Sequence, residues 1–339
     1  MKLKELANEL GLSQTTVSRA LNGYPEVSET TRQRVAEAAL QHGYRANVSA
    51  RRLATGRVGA VGLFLPALAS AELGPHTSEF ISGLAARMAR EEFDIVVSPL
   101  ESDDEIPAYR RIINSKRVDA VVISSPKLED ERVRALTEFG LPFVLHGRTS
   151  IETPHAWLDI DNEGAFNRAT SHLLDLGHRH IAMINGPEGL TFAEHRQRGY
   201  REALRKRGVM SDPRYSSFGR FTDEIAFRQT QALLEMTPRP TAILAGSMMT
   251  ALGAFRAIRA AGLTLGREVS MIAHDDVFPY LNADNMVPSM STTRSSIRAA
   301  GERIGDFVLQ LLAGRSAATM HELWPVELVL RESTGPVVE

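Results

Sequence analysis

The sequence predicts an α/β protein in three parts: a three-helix, helix-turn-helix head, a short hinge helix, and a core of two subdomains built on parallel sheets. Three observations predict it. Residues 3–23 place two short amphipathic helical patterns around a glycine turn. From Val58 onward, short apolar runs alternate with helical patterns, as in parallel sheets covered on both faces. Charge is also divided unevenly: residues 1–57 hold nine Lys/Arg against five Glu, a surplus of +4 in a chain whose net charge is −2. A basic head on an acidic body suits a polyanionic partner touched by the head alone.

In the head, Leu3, Leu6, Ala7 and Leu10 recur at helical spacing, and Val17, Ala20 and Leu21 do so again after Gly11-Leu12-Ser13. Glycine tolerates the sharp turn, and Ser13 suits the N-cap of a helix beginning at Gln14. The polar face of that helix carries Gln14, Thr15, Thr16, Ser18 and Arg19 with no acidic group among them. Spacing alone allows either a DNA-reading helix pair or an ordinary αα-hairpin; this polar face favours the first. Ser28 caps a third helix over about Thr30 to His42, which Gly43 stops. Tyr44 then stands where its hydroxyl can reach a phosphate. Residues 47–54 allow two turns of helix, with Leu53 flanked by Arg51 and Arg52: a minor-groove wedge, or a plain linker whose leucine packs on the body.

Leu12 to Asn22, Val27 to Arg32, Gly43 to Arg45 and Ala50 to Leu53 together resemble the head and hinge of the lactose-repressor (LacI/GalR) family of transcription regulators. The resemblance implies that Gln14, Thr15 and Arg19 read bases, that Ser13, Thr16, Ser18, Asn22 and Tyr44 hold phosphates, and that Leu53 intercalates between Arg51 and Arg52 in the minor groove. Lys2 and Ala46 depart from the family pattern, which usually has Thr and Pro at these places.

In the body, apolar runs at Ala60–Leu65, Ile95–Ser98, Ala120–Ile123, Phe143–His146, Ile181–Ile184, Ala242–Leu244 and Val269–Ala273 predict buried strands. Helices are expected at about Glu79–Glu92, Glu129–Phe139, Asn162–Leu176, Ala193–Arg207, Ile225–Glu235 and Thr250–Ala261. Two such half-domains create a cleft for a small ligand. Leu173 to Ala182, Arg196 to Tyr200, His274 to Val277, Ser291 to Arg294 and Glu327 to Thr334 extend the resemblance to a periplasmic-binding-protein-like core. The resulting division is a head over 1–46, a hinge and linker over 47–57, and a core over 58–339. By the likeness, subdomain 1 takes about 58–161 plus 291–319, and subdomain 2 about 162–290 plus 320–339.

The likeness carries Arg196 and Asp275 to effector-binding positions, where a guanidinium and a carboxylate fork onto vicinal sugar hydroxyls; a structural ion pair is the alternative. Phe221 matches an aromatic position against the ligand, or is a core ring. Asp161 and Ser124 match cleft-lining positions. After the strand ending near Leu244 the family often has Ala-Asn-Asp; here Ala245-Gly246-Ser247-Met248 keeps a smaller polar group in Ser247 and loses a carboxylate at Met248, and His146-Gly147-Arg148 replaces a common Asp-Arg. A neutral saccharide such as a glucoside is the expected effector.

Enzyme classes are not expected. The chain has no Gly-Lys-Ser/Thr phosphate loop, no GxGxxG after the first strand, no HExxH and no GxSxG. No catalytic residue, cofactor or metal is assigned, and His172, His178 and His180 are read as structural. The absence of cysteine excludes disulfides, and the lack of an apolar leader or of an 18-residue apolar run implies a cytoplasmic chain. The expected protein is a homodimeric repressor of a pseudopalindromic operator, controlled by a small sugar, with no membrane partner. An activator or corepressor-dependent regulator of the same fold, or a sugar-binding protein of transport type, are the alternatives.

Overall fold

The computed structural model describes residues 3–21, 24–44, 57–65, 74–100 and 105–338, in two compact units, Met1–Gly59 and Ala60–Glu339.

The first unit holds α1 (Leu3–Leu10), α2 (Gln14–Leu21) and α3 (Glu29–Gln41). Its core is small, with Leu6, Val17 and Val35 fully buried and Leu3, Leu10, Leu12, Leu21 and the Tyr44 ring around them. Gly11 turns the chain at φ 64°, a left-handed conformation that a side chain resists, although nothing stands within 4 Å of where a Cβ would be. Ser13 Oγ accepts the Thr16 N–H at 3.0 Å and Ser28 Oγ accepts the Thr31 N–H at 3.4 Å, so both expected caps form. The hinge, with Arg51, Arg52 and Leu53, lies outside the described residues, as does Asn22.

The second unit holds two subdomains. The first contains β1 (Ala60–Leu65), α4 (Pro75–Ala89), β2 (Asp94–Pro99), α5 (Ile106–Asn114), β3 (Ala120–Ser124), α6 (Glu131–Glu138), β4 (Phe143–His146) and β5 (Ala156–Ile160). The second contains α7 (Asn162–Asp175), β6 (Ile181–Asn185), α8 (Thr191–Lys206), β7 (Ser216–Phe218), α9 (Asp223–Leu234), β8 (Ala242–Ala245), α10 (Met248–Ala260), β9 (Ser270–Asp275) and β10 (Ser291–Arg294). The chain then returns to the first subdomain with α11 (Ile297–Leu312) and β11 (His321–Trp324), and ends in the second with β12 (Glu327–Val329). The strand orders are β11-β5-β4-β3-β1-β2 and β12-β10-β9-β8-β6-β7, parallel except for β10 against β12.

These pairings correct two boundaries. Residues 291–294 were expected in subdomain 1, but β10 lies between β9 and β12 in the second sheet, so that crossing falls at Ser295–Ser296. The last crossing was expected near 320; β11 pairs with β5 in the first sheet, which moves it to Pro325. The reason is chemical. The strand β10 buries hydroxyls instead of hydrocarbon: Ser291, Thr292 and Thr293 are 0%, 0% and 2% exposed. Thr293 Oγ1 meets His274 Nδ1 at 3.0 Å, and Arg331 donates to Thr292 Oγ1 at 3.1 Å. Burial is tolerable because the polar atoms are satisfied.

The chain's two tryptophans, Trp157 and Trp324, sit on neighbouring strands β5 and β11, each of which leads into a crossing. Trp157 stacks on His321 with centroids 5.6 Å apart, and Trp324 donates its indole N–H to Glu322 at 2.9 Å.

Candidate functional site

Two surfaces carry chemistry, one in each unit. On α2, the helical period turns Val17 and Ala20 inward and leaves Gln14, Thr15 and Arg19 exposed, with Thr16 and Ser18 half-buried beside them. The hydroxyls of Ser13 and Thr16 share a hydrogen bond of 2.8 Å at the helix start. Tyr44 is tied to α3 by its backbone N–H, which donates to the Ala39 carbonyl at 2.8 Å. Burial of its ring raises the phenol pKa, so the hydroxyl stays a donor. A helix face of amide, hydroxyl and guanidinium groups without carboxylates is what duplex DNA requires.

The second surface is a cavity of about 640 Å³ at the C-terminal edge of the first sheet. Phe64 at the end of β1, Ser124 at the end of β3 and His146 at the end of β4 reach it, α4 contributes His76 and Phe80, and Leu190 closes it from the second subdomain. Phe80 and His146 stack with centroids 4.7 Å apart, and His146 stacks in turn with His76 at 6.1 Å. Burial of the His146 ring, with His76 adding to it and Asp276 opposing, pushes its pKa down to about 3. It is a neutral imidazole at physiological pH, able to donate and accept one hydrogen bond each.

Several links among the described residues cross between the subdomains. His76 Nε2 lies 3.9 Å from Asp276 Oδ1. Thr191 donates both its N–H and its hydroxyl to the Pro126 carbonyl, at 2.9 and 3.0 Å. Arg148, held by Asp159 at 2.8 Å, reaches His195 Nδ1 at 3.3 Å; burial and Arg148 both lower the His195 pKa, so the ring accepts.

Of the expected effector residues, only Ser124 lines the cavity. Arg196 is 4% exposed, and its Nε and Nη1 donate to Asn162 Oδ1 and the Gly246 carbonyl, both at 2.8 Å. Its guanidinium lies 5.0 Å from the rings of Phe166 and Phe192 and 6.0 Å from that of Phe221. Burial lowers its pKa to about 10, so it remains charged, with Asp276 and Asp159 supporting the charge. Phe221 covers Gly246: a Cβ there would stand 2.6 Å from its Cε1. Phe221 thus packs where any side chain at residue 246 would stand. Ser247 is 3% exposed and caps α10, accepting the Thr250 N–H at 3.1 Å. Asp161 caps α7 by accepting the Gly164 N–H at 2.8 Å.

Asp275 does not pair with Arg196. Its Oδ1 accepts the Val277 N–H at 2.7 Å, and Arg294 stands 4.0 Å from Oδ2. Burial raises its pKa. Val277, a β-branched residue at φ 62°, is the strained position that this bond supports. The carboxylate facing His76 across the cleft is the next one. Burial works against the charge of Asp276, but His76, His274 at 3.5 Å and Arg196 overcome it and hold its pKa at about 2. Sequence reasoning thus missed His76, Phe80 and Asp276. His146 had a signal, because it ends a strand where the family carries Asp.

His178 packs structurally, with Nδ1 2.9 Å from Thr241 Oγ1 and Nε2 3.0 Å from the Gly335 carbonyl. Among the described residues, no group of His, Asp and Glu is arranged to hold a metal, and no helix is long and apolar enough to cross a membrane.

Comparisons with known proteins find likenesses to both units. The family model described as bacterial regulatory proteins, lacI family, matches residues 2–47, and that of a periplasmic binding protein-like domain matches residues 170–334. The HTH-type transcriptional regulator AglR of Rhizobium meliloti (strain 1021) is 45% identical over 338 residues, covering 99% of this chain and 95% of that protein. The solved lac repressor dimer bound to operator and the anti-inducer ONPF is similar with a TM-score of 0.78 and 26% identity, covering 99% of each chain. A complex of the transcriptional regulator CelR with cellobiose is similar with a TM-score of 0.73 and 28% identity, covering 98% of this chain and 99% of that one.

Proposed function

The chain belongs to the lacI family of bacterial transcriptional regulators, and from that membership we propose that it acts as a cytoplasmic homodimeric repressor, released from a pseudopalindromic operator when a neutral saccharide fills the body's cavity. The observation that carries the DNA half is the face of α2. Gln14, Thr15 and Arg19 project from one side of a helix whose other side is pinned by Val17 and Ala20. In this reading they meet base edges, while Ser13, Thr16, Ser18, Asn22 and Tyr44 fix the register on the phosphates. Arg51, Arg52 and Leu53 open the minor groove between the paired heads. The homodimer is proposed because twofold symmetry in the protein is mirrored in a two-half-site operator.

The charge of the cavity supports a neutral ligand. Among the described residues, Glu105, Glu129, Asp130 and Glu131 line it against Lys127 and Arg132, and His146 is uncharged. An anionic effector would enter against a net negative field. In this reading the second subdomain acts on the ligand through Asp276, which faces His76 across the cleft, and through Arg196 and Phe221 packed behind it, while Asp275 supports Val277 and Ser247 and Asp161 cap α10 and α7. Ligand in the cleft changes the operator affinity by coupling of about 1–3 kcal/mol, which is about 5- to 150-fold.

The test is a titration of operator DNA by fluorescence anisotropy, with and without neutral saccharides at fixed salt, because affinity for DNA falls steeply with salt. A sugar that weakens operator binding supports repression relieved by ligand. One that strengthens it makes the protein corepressor-dependent, and identical titrations with every sugar refute effector control.

A further inference from the structure

The cavity extends beyond the strand ends toward the starts of α5 and α6, where it meets a set of side chains that the regulatory reading leaves unused. Arg132 forks onto Asp130, with Nε to Oδ1 at 2.8 Å and Nη2 to Oδ2 at 2.7 Å, and its Nη1 donates to Glu105 Oε1 at 2.8 Å. Tyr109, fully buried, donates its hydroxyl to Glu105 Oε2 at 2.5 Å. Asp130 also accepts the backbone N–H groups of Lys127 and Arg132, at 3.0 and 3.1 Å. Each oxygen of Glu105 is thus fixed by one protein donor and keeps a second lone pair. Arg132 keeps one Nη1 hydrogen after this set is satisfied. Both side chains line the cavity, and they are 19% and 16% exposed.

This is a rigid acceptor–donor pair, with its charge compensated by Asp130 and its geometry set before any ligand arrives. Prearranged polar groups of this kind favour hydroxyl ligands, because little side-chain entropy is lost when they bind. The stacked Phe80–His146–His76 wall lies toward the strand ends, so the cavity offers two distinct environments. Its volume of about 640 Å³ falls within the range of about 300–1,000 Å³ for sites that enclose drug-sized ligands.

We infer that the cavity takes a neutral saccharide of at least two rings, with one ring against the aromatic–imidazole wall and the next read by Glu105 and Arg132. This rests on the reading of the cavity as the effector site. The outer subsite is also tied to the cleft. Arg132 Nη2 donates to the carbonyls of Ser124 and Ser125, at 3.2 and 3.4 Å, and the next residue, Pro126, accepts the two cross-subdomain bonds from Thr191. A ring seated on Glu105 and Arg132 therefore bears on a segment of the first subdomain that is hydrogen-bonded to the second.

The test is isothermal titration calorimetry on the full chain with glucose, with cellobiose, maltose, trehalose and sucrose, and with glucose 6-phosphate. At least one disaccharide is expected to bind about tenfold or more tightly than glucose. Glu105→Gln should remove that advantage, by about tenfold, and leave glucose binding as it was. Tyr109→Phe, which deletes only the hydroxyl that orients Glu105, should lose a smaller part of the same advantage. Glucose binding with no gain from any disaccharide overturns the outer subsite alone, as does a loss in Glu105→Gln that falls equally on glucose and disaccharide. Failure of every neutral sugar to bind, or tighter binding of glucose 6-phosphate, overturns the neutral-saccharide reading itself and this inference with it.

Discussion

Gly246→Ala tests whether Phe221 and residue 246 form one packed unit. The new Cβ would lie 2.6 Å from Phe221 Cε1, 3.2 Å from its Cζ, and 2.9 Å from the Ile184 carbonyl oxygen. That oxygen cannot retreat, because it accepts the N–H of residue 246 itself at 2.8 Å and belongs to β6, paired with β8. The Phe221 ring must give way, or the backbone at 246 must. Movement of that backbone would disturb the carbonyl that accepts Arg196 Nη1 at 2.8 Å. Overpacking of this kind costs about 1–3 kcal/mol, and each kcal/mol lowers the melting midpoint by about 2–4 °C in a domain of this size. The assay is thermal unfolding followed by circular dichroism for the wild type, Gly246→Ala, Phe221→Ala and the double variant. Removing the ring makes room for the methyl group, so the double variant should lose at least about 1 kcal/mol less than the two single losses added together. A Gly246→Ala protein within about 0.5 kcal/mol of wild type, or strict additivity, would refute the reasoning.

Arg19→Ala should relax base choice at one operator position by about 1–3 kcal/mol, read by competition among operator variants. Arg196→Met should retain operator binding in an anisotropy titration but abolish the sugar response, because Asn162 and the Gly246 carbonyl lose their donors and Asp276 loses a nearby cation. Asp276→Asn should reduce the sugar response more than Asp275→Asn does, since Asp276 faces His76 across the cleft while Asp275 supports Val277. Equal effects would show that the carboxylates act together. Stability should fall as pH drops from about 6.5 toward 3, because His146 refuses in the folded chain a proton that the unfolded chain accepts. His146→Gln should remove part of that slope in denaturant titrations at several pH values.

The head was legible because its signals are local. The Gly11 turn and the Ser13 and Ser28 caps each specify backbone conformation within four residues of themselves. Seven of the body's strands, the edge strand β2 among them, were legible as apolar runs. Others were not: β7 and β12 are three residues each, and β10 is built of buried hydroxyls whose partners lie far away in sequence, such as the Arg331 carbonyl, which accepts the Ser291 hydroxyl at 3.2 Å. The cleft was hardest to read for the same reason. Asp275 and Asp276 are adjacent and chemically identical, and only the fold decides that one supports a turn while the other faces His76. Glu105 and Arg132 are separated by 27 residues, and nothing local marks them as a pair.

The placement of Trp157 and Trp324 on adjoining strands makes the protein's own ultraviolet emission a gauge of the crossings between its two core subdomains. Arg148, 6.0 Å from the Trp157 ring, also grips His195 in the other subdomain, so a shift there changes the electric field over the indole. No dye or engineered label is needed to follow a ligand as it arrives, and replacing either chromophore with phenylalanine would reveal which of the two strands reports the motion.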